Sequence, residues 1–181
     1  IMRIIDKNFK ELFASQLVSV FGGLIAGTIL AIYTDKILII PGMFILLPGF
    51  LEMKNSISGS LAARISAGLH LKFITIHGKK IKLIRGNALA AFLLALIVSL
   101  GLGLIAFAFS LFVFKVFIPK IIILPLIAGI ISSVLEIPIT IFFTFYLFMK
   151  GHDPDYIMGP FITSVGDIIS VISLLIAVVI I

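Results

Sequence analysis

Within PFITSVGDIISVISLLIAVVII, residues 160–181, the only ionisable side chain is Asp167. Thr163, Gly166, Ser170 and Ser173 recur around it at spacings of three and four, so on a helix they share its face. Ile162, Ile168, Ile169, Val171 and Leu175 cover the remaining surface. A carboxylate among hydroxyls can bind a cation or carry a proton. In the middle of a bilayer it costs about 2.5–3.5 kcal/mol even on the lenient insertion scale, so such a stripe must face other helices or water. That cost makes Asp167 a functional candidate by default. The plainer reading is a protonated acid hydrogen-bonded to a neighbouring helix.

Glu136, in ISSVLEIPIT, is the second candidate. Ser132, Glu136 and Thr140 form a polar row at spacing four, and Pro138 is expected to bend the helix there. Glu136 reads either as a second ligand for a cation or proton, or as a carboxylate that meets a Ser, Thr or Lys of another helix and fixes packing. Glu52, followed by Lys54 and Asn55, is the third. Ion coordination and local pairing with Lys54 explain it equally well.

The three histidines, His70, His77 and His152, all fall in or beside loops. The interior therefore offers oxygen ligands, which suit a hard cation such as Mg²⁺ or Ca²⁺ better than zinc or copper. There is no cysteine, which removes disulfides, thiolate metal sites and thiol nucleophiles. Neither HExxH, GxxxxGK nor a Ser–His–Asp arrangement is present, so the chain is not expected to be an enzyme or to hold a cofactor.

The elements that carry these acids follow from composition. Of 181 residues 61% are hydrophobic and 12% charged, and the mean hydropathy is +1.33. A soluble domain of this size cannot hide so much apolar surface, so the solvent is lipid. Stretches near the length a bilayer needs run from Leu12 to Tyr33, from Ile37 past Pro41 and Pro48, from Ala88 to Phe114, from Ile121 to Phe148, and from Tyr156 to the end. The expected fold is all-α, a multi-pass membrane protein with five transmembrane helices in one domain over 1–181, with no soluble regulatory domain. The second helix is expected to be bent or broken at its prolines. SISGSLAARISAGLHL would continue it, packed within protein. GLGL in the third span reads as helix packing.

With an odd number of spans the termini lie on opposite sides. Placing the N-terminus inside puts Arg3, Lys7, Lys10, Lys54, Arg64, Lys72, Lys79, Lys80, Lys82, Arg85 and Lys150 on the cytoplasmic side, against Lys36, Lys115 and Lys120 outside. The expected location is the cell membrane, with the N-terminus cytoplasmic and the C-terminus extracytoplasmic. The net charge of +6 then marks anionic lipid headgroups as neighbours, rather than nucleic acid. IMRIIDKNFKELFAS is too polar for a cleavable signal peptide. Asp153 and Pro154 make an N-cap and first-position pair for the last helix, and Asp155 suits its positive end. An acidic vestibule leading toward Asp167 is the other reading of those two acids.

The run K-G-x-D-P-D, then G-P-F-x-T and G-D (residues 150–167), closely resembles the last transmembrane segment of the MgtE magnesium channels, and more closely that of their eukaryotic solute-carrier relatives. EMKNSISGSLAARISAG is similar to the family's first signature, and RGNALAAF to the opening of its third helix. Lys54 stands where the family commonly has glycine, and Pro48-Gly49 replaces a glycine-rich lead-in. The resemblance implies five spans with a cytoplasmic N-terminus, and a cation pore built from two such units and lined by the second and fifth helices. It carries the pore-facing aspartate onto Asp167, the position one turn earlier onto Thr163, and the amide of the first signature onto Asn55.

Dimerisation is reasonable on charge alone. One Asp neutralises half of a dication, and a two-fold axis beside Asp167 would bring two together. Mg²⁺ sheds water reluctantly, so its contacts would pass through retained waters. The expected function is transport of a divalent cation, Mg²⁺ first, at a homodimer interface, with Asp167, Thr163, Asn55, Glu136 and Glu52 as the candidate ligands. A carrier coupled to Na⁺ or H⁺, and a membrane scaffold that transports nothing, are the alternatives.

Overall fold

The computed structural model describes residues 7–38, 40–74 and 81–181. Among them are five long helices and one short one: α1 (Lys7–Ile32), α2 (Thr34–Leu38), α3 (Met43–His70), α4 (Ile81–Phe112), α5 (Lys120–Met149) and α6 (Pro154–Ile180). His77 lies outside the described residues.

Helices α1, α4, α5 and α6 are long and apolar enough to cross a membrane. Helix α3 does not meet that apolar criterion, although its 28 residues reach about 42 Å. Its surroundings explain its composition. It packs on α4, α5 and α6, where its buried Lys54, Ser58 and Ser66 meet protein, and Glu52, Ser56, Ser60 and Arg64 lie exposed on its remaining face. The chain does not form one second helix starting near Ile37. It ends α2 at Leu38 and begins α3 at Met43, with Gly42 at φ 92°, a left-handed backbone that glycine adopts without strain. Pro48 lies inside α3, which continues unbroken to His70. Its missing N–H deprives only the Phe44 carbonyl of a partner.

Leu46, Phe50, Leu61 and Ile65 of α3 are fully buried against Ala91 and Ala95 of α4, Ile121 and Leu124 of α5, and Leu174 of α6. On α4 the buried positions are Ala91, Ala95, Ser99, Gly103, Ala106 and Ser110. This row of small residues lets backbones approach closely, the usual basis of helix association in lipid. At Gly103, the second glycine of GLGL, an added Cβ would collide with the Ile122 backbone of α5. The opposite face of α4, with Leu93, Ile97, Leu104 and Ile105, is apolar and exposed.

Helix α1 packs chiefly on α6. Gly22 sits against Ser164 so closely that any side chain there would overlap it. Farther down, Pro160 of α6 has no N–H for the Tyr156 carbonyl four residues before it. Ser15 of α1 donates to that carbonyl at 3.2 Å, sharing its hydroxyl with Leu12 O at 2.8 Å.

Candidate functional site

Helices α3 and α6 run antiparallel along a common seam, and their candidate residues meet at its middle. Asn55 Nδ2 donates to Asp167 Oδ1 at 2.8 Å. Both residues are half-buried. Asn55 Oδ1 is buried and has no hydrogen-bond partner among the described residues. It lies close to Gly166, where an added Cβ would come within 2.8 Å of it. A buried acceptor left unmade costs about 1–3 kcal/mol, so Asn55 is held with one oxygen able to take a further donor or a cation. Thr163, one turn before Asp167, is exposed, and its hydroxyl donates back to Gly159 O at 3.1 Å, which leaves its lone pairs outward. Glu52, one turn before Asn55 on α3, is exposed. Four of the five candidates thus share one seam.

Glu136 does not join them. It is 3% exposed and sits 3.3 Å from the ammonium of Lys54, itself 1% exposed. Lys54 Nζ also donates to Ser133 Oγ at 2.8 Å. Ser58 donates to Glu136 Oε2 at 2.9 Å and Ser170 to Oε1 at 3.2 Å. Each carboxylate oxygen therefore has a hydroxyl partner, and the charge has a counter-ion. The arrangement braces the Asn55–Asp167 pair from its buried side. Ser58 lies one turn beyond Asn55, Ser170 one turn beyond Asp167, and Glu136 of α5 joins the two.

Two expectations about Lys54 are corrected by this geometry. It does not pair with Glu52, because position 54 points to the buried side of α3 while 52 points outward. Nor does it belong with the basic residues of cytoplasmic loops. It lies inside α3. The sequence held a signal for this: Lys54 falls on the stripe of Leu46, Phe50, Ile57 and Leu61. A cation on an apolar stripe needs a buried acid, and Glu136 is the acid so placed. At the start of α6, Asp153 is the N-cap, accepting from Asp155 N at 3.0 Å with Pro154 at the first helical position.

A family model described as MgtE, divalent cation transporter, matches residues 47–177. The chain belongs to the MgtE family. No curated protein and no solved structure matches it. The MgtE match begins in the second turn of α3 and ends in the last turn of α6, so it contains both helices of the seam and the buried clamp. Helix α1 lies outside it. Membership makes divalent cation transport the activity to which this geometry must answer. It also accounts for the apolar helices as membrane spans. Within the MgtE-matched region, the half-buried Asp167 accepts from an uncharged amide, whereas the buried Glu136 is paired with a lysine.

Proposed function

We propose that two copies of this chain associate about a two-fold axis along the α3–α6 seam, and that a divalent cation, Mg²⁺ by the hardness of the oxygen ligands, crosses the membrane between them. The observation that carries this reading is the composition of the uncovered seam. Glu52, Ser56, Ser60 and Arg64 of α3 and Thr163 of α6 are exposed, around the half-buried Asn55–Asp167 pair. A face so polar is costly against hydrocarbon. A second copy, with water between the two, removes that cost and doubles the acid.

In this reading Asp167 of each copy supplies the compensating charge through retained waters. Asn55 presents its unsatisfied oxygen to the same hydrated ion. Thr163 lines the path one turn away, and Glu52 adds charge beyond Asn55. Glu136 contributes no ligand: its charge is balanced by Lys54, and its part is to hold α3 and α6 in register. All five long helices cross the cell membrane, α3 sheltered by its neighbours, with the N-terminus cytoplasmic.

The test is flux into proteoliposomes containing the purified protein, with Mg²⁺, Ca²⁺, Mn²⁺ and Co²⁺ as probes. Asp167→Asn is expected to lower Mg²⁺ flux by at least about 100-fold while leaving the protein folded. Wild-type flux from that variant would remove the assignment. Imposed Na⁺ and pH gradients in the same vesicles separate a channel, which ignores them, from a coupled carrier.

A further inference from the structure

The α3–α6 seam holds a second group of ligand atoms at its other end. His70 is the last residue of α3, and Asp153 and Asp155 open α6. One ligand atom from each of the three lies within 4.8 Å of the others. His70 Nε2 is 3.4 Å from Asp153 Oδ1. Two ligands at right angles, each about 2.1 Å from a metal, stand about 3 Å apart. The observed spacing is therefore close to one edge of a coordination octahedron. The imidazole is also held in place: its ring meets Phe148 of α5 edge-on, with centroids 5.2 Å apart.

We propose that His70, Asp153 and Asp155 form a separate binding site for a first-row transition-metal dication of the Mn²⁺ or Co²⁺ class. The donor set decides the class. Carboxylates alone would suit Mg²⁺ or Ca²⁺, and an imidazole nitrogen shifts preference toward softer dications. The start of α6 opposes a cation with roughly half a positive charge, and two carboxylates outweigh that. The side chains are accessible: His70 is 45% exposed and Asp153 37%. Asp155 also lines a cleft of about 140 Å³ walled by Gly59, Ala62 and Ala63 of α3 and by Met158 and Gly159 of α6. Along α6 this cleft points toward Thr163 and Asp167, the latter twelve residues or about 18 Å from Asp155. A metal there ties the end of α3 to the start of α6, the two helices that hold the Asn55–Asp167 pair.

The site stands apart from the transport reading, so its test uses the Asp167→Asn chain, purified without a polyhistidine tag in nitrogen-free buffer. Mn²⁺ is titrated and followed by electron paramagnetic resonance, with electron spin-echo modulation to detect a coordinated nitrogen. One Mn²⁺ per chain with ¹⁴N modulation is expected, and Mg²⁺ at equal concentration should not displace it. His70→Ala and Asp155→Asn should each weaken binding at least tenfold. No bound Mn²⁺, bound Mn²⁺ without ¹⁴N modulation, or His70→Ala binding within twofold of its parent overturns the proposal. The modulation is measured with His70 in place, so it decides the matter even if a variant fails to fold.

Discussion

Asn55 of α3 donates to Asp167 of α6 at 2.8 Å, which joins the two helices at the middle of their exposed seam. The amide holds one carboxylate oxygen and leaves its own oxygen without a partner among the described residues. A neutral donor can orient an acid without cancelling its charge, as a lysine would. Lys54, the neighbouring residue, is turned inward and neutralised elsewhere. This separation of a charged carboxylate from a buried cation, whose neighbour in sequence is the acid's own amide partner, underlies the first two predictions.

Asp167→Asn and Asn55→Ala should differ in degree. The first removes a charged contact from each of two copies, at about 1.5–3 kcal/mol per contact, and should lower Mg²⁺ flux by at least about 100-fold. The second leaves the charge and loses its orientation, and should cost about tenfold. Flux measured side by side in proteoliposomes checks the order. Equal losses, or a larger loss from Asn55→Ala, would show that the amide, and not the acid, dominates the contact with the ion.

Lys54→Met should destabilise the protein by about 3–5 kcal/mol, because Glu136 would be left buried without its counter-ion. Lys54→Met combined with Glu136→Leu should recover most of that loss, since an apolar pair of similar volume often matches a buried ion pair. Unfolding in detergent measures the cycle. Additive losses in the double variant would mean that the two residues do not act as a pair.

Thr163→Cys should form a disulfide between two copies under mild oxidation in membranes. The position is exposed on the seam, and the chain has no cysteine of its own to confuse the result. Leu93→Cys, on the exposed apolar face of α4, is the control and should not cross-link. If both positions react alike, or neither does, the proposed two-fold contact is in the wrong place.

Ser15→Ala should cost about 0.5–1.5 kcal/mol in the natural background, the net value of one hydrogen bond. With Pro160→Ala already present the cost should shrink toward zero, because that substitution restores an N–H for the Tyr156 carbonyl. A double-mutant cycle in detergent unfolding isolates the coupling. A full-sized Ser15→Ala effect in the Pro160→Ala background would show that the serine serves Leu12 alone.

Much of this architecture was legible in the chain. Long apolar runs require helices, because lipid offers no partner for backbone N–H and C=O groups. Each of the five expected spans has a long helix in the structure. Asp167 was visible for a related reason, as an acid in hydrocarbon whose cost demands an explanation. The sequence alone also set the start of α6, where Asp153 and Pro154 act within a single turn. What only the tertiary structure decided was the pairing of polar groups across helices. Glu136 could as well have faced an ion as a lysine, and Lys54 could as well have paired with Glu52. Those outcomes depend on how each helix is rotated about its axis and which neighbour its polar face meets, and helical periodicity is silent on both. The same rotation brought Asn55 to Asp167 and the end of α3 to the start of α6, contacts between residues far apart in the chain that no local pattern encodes.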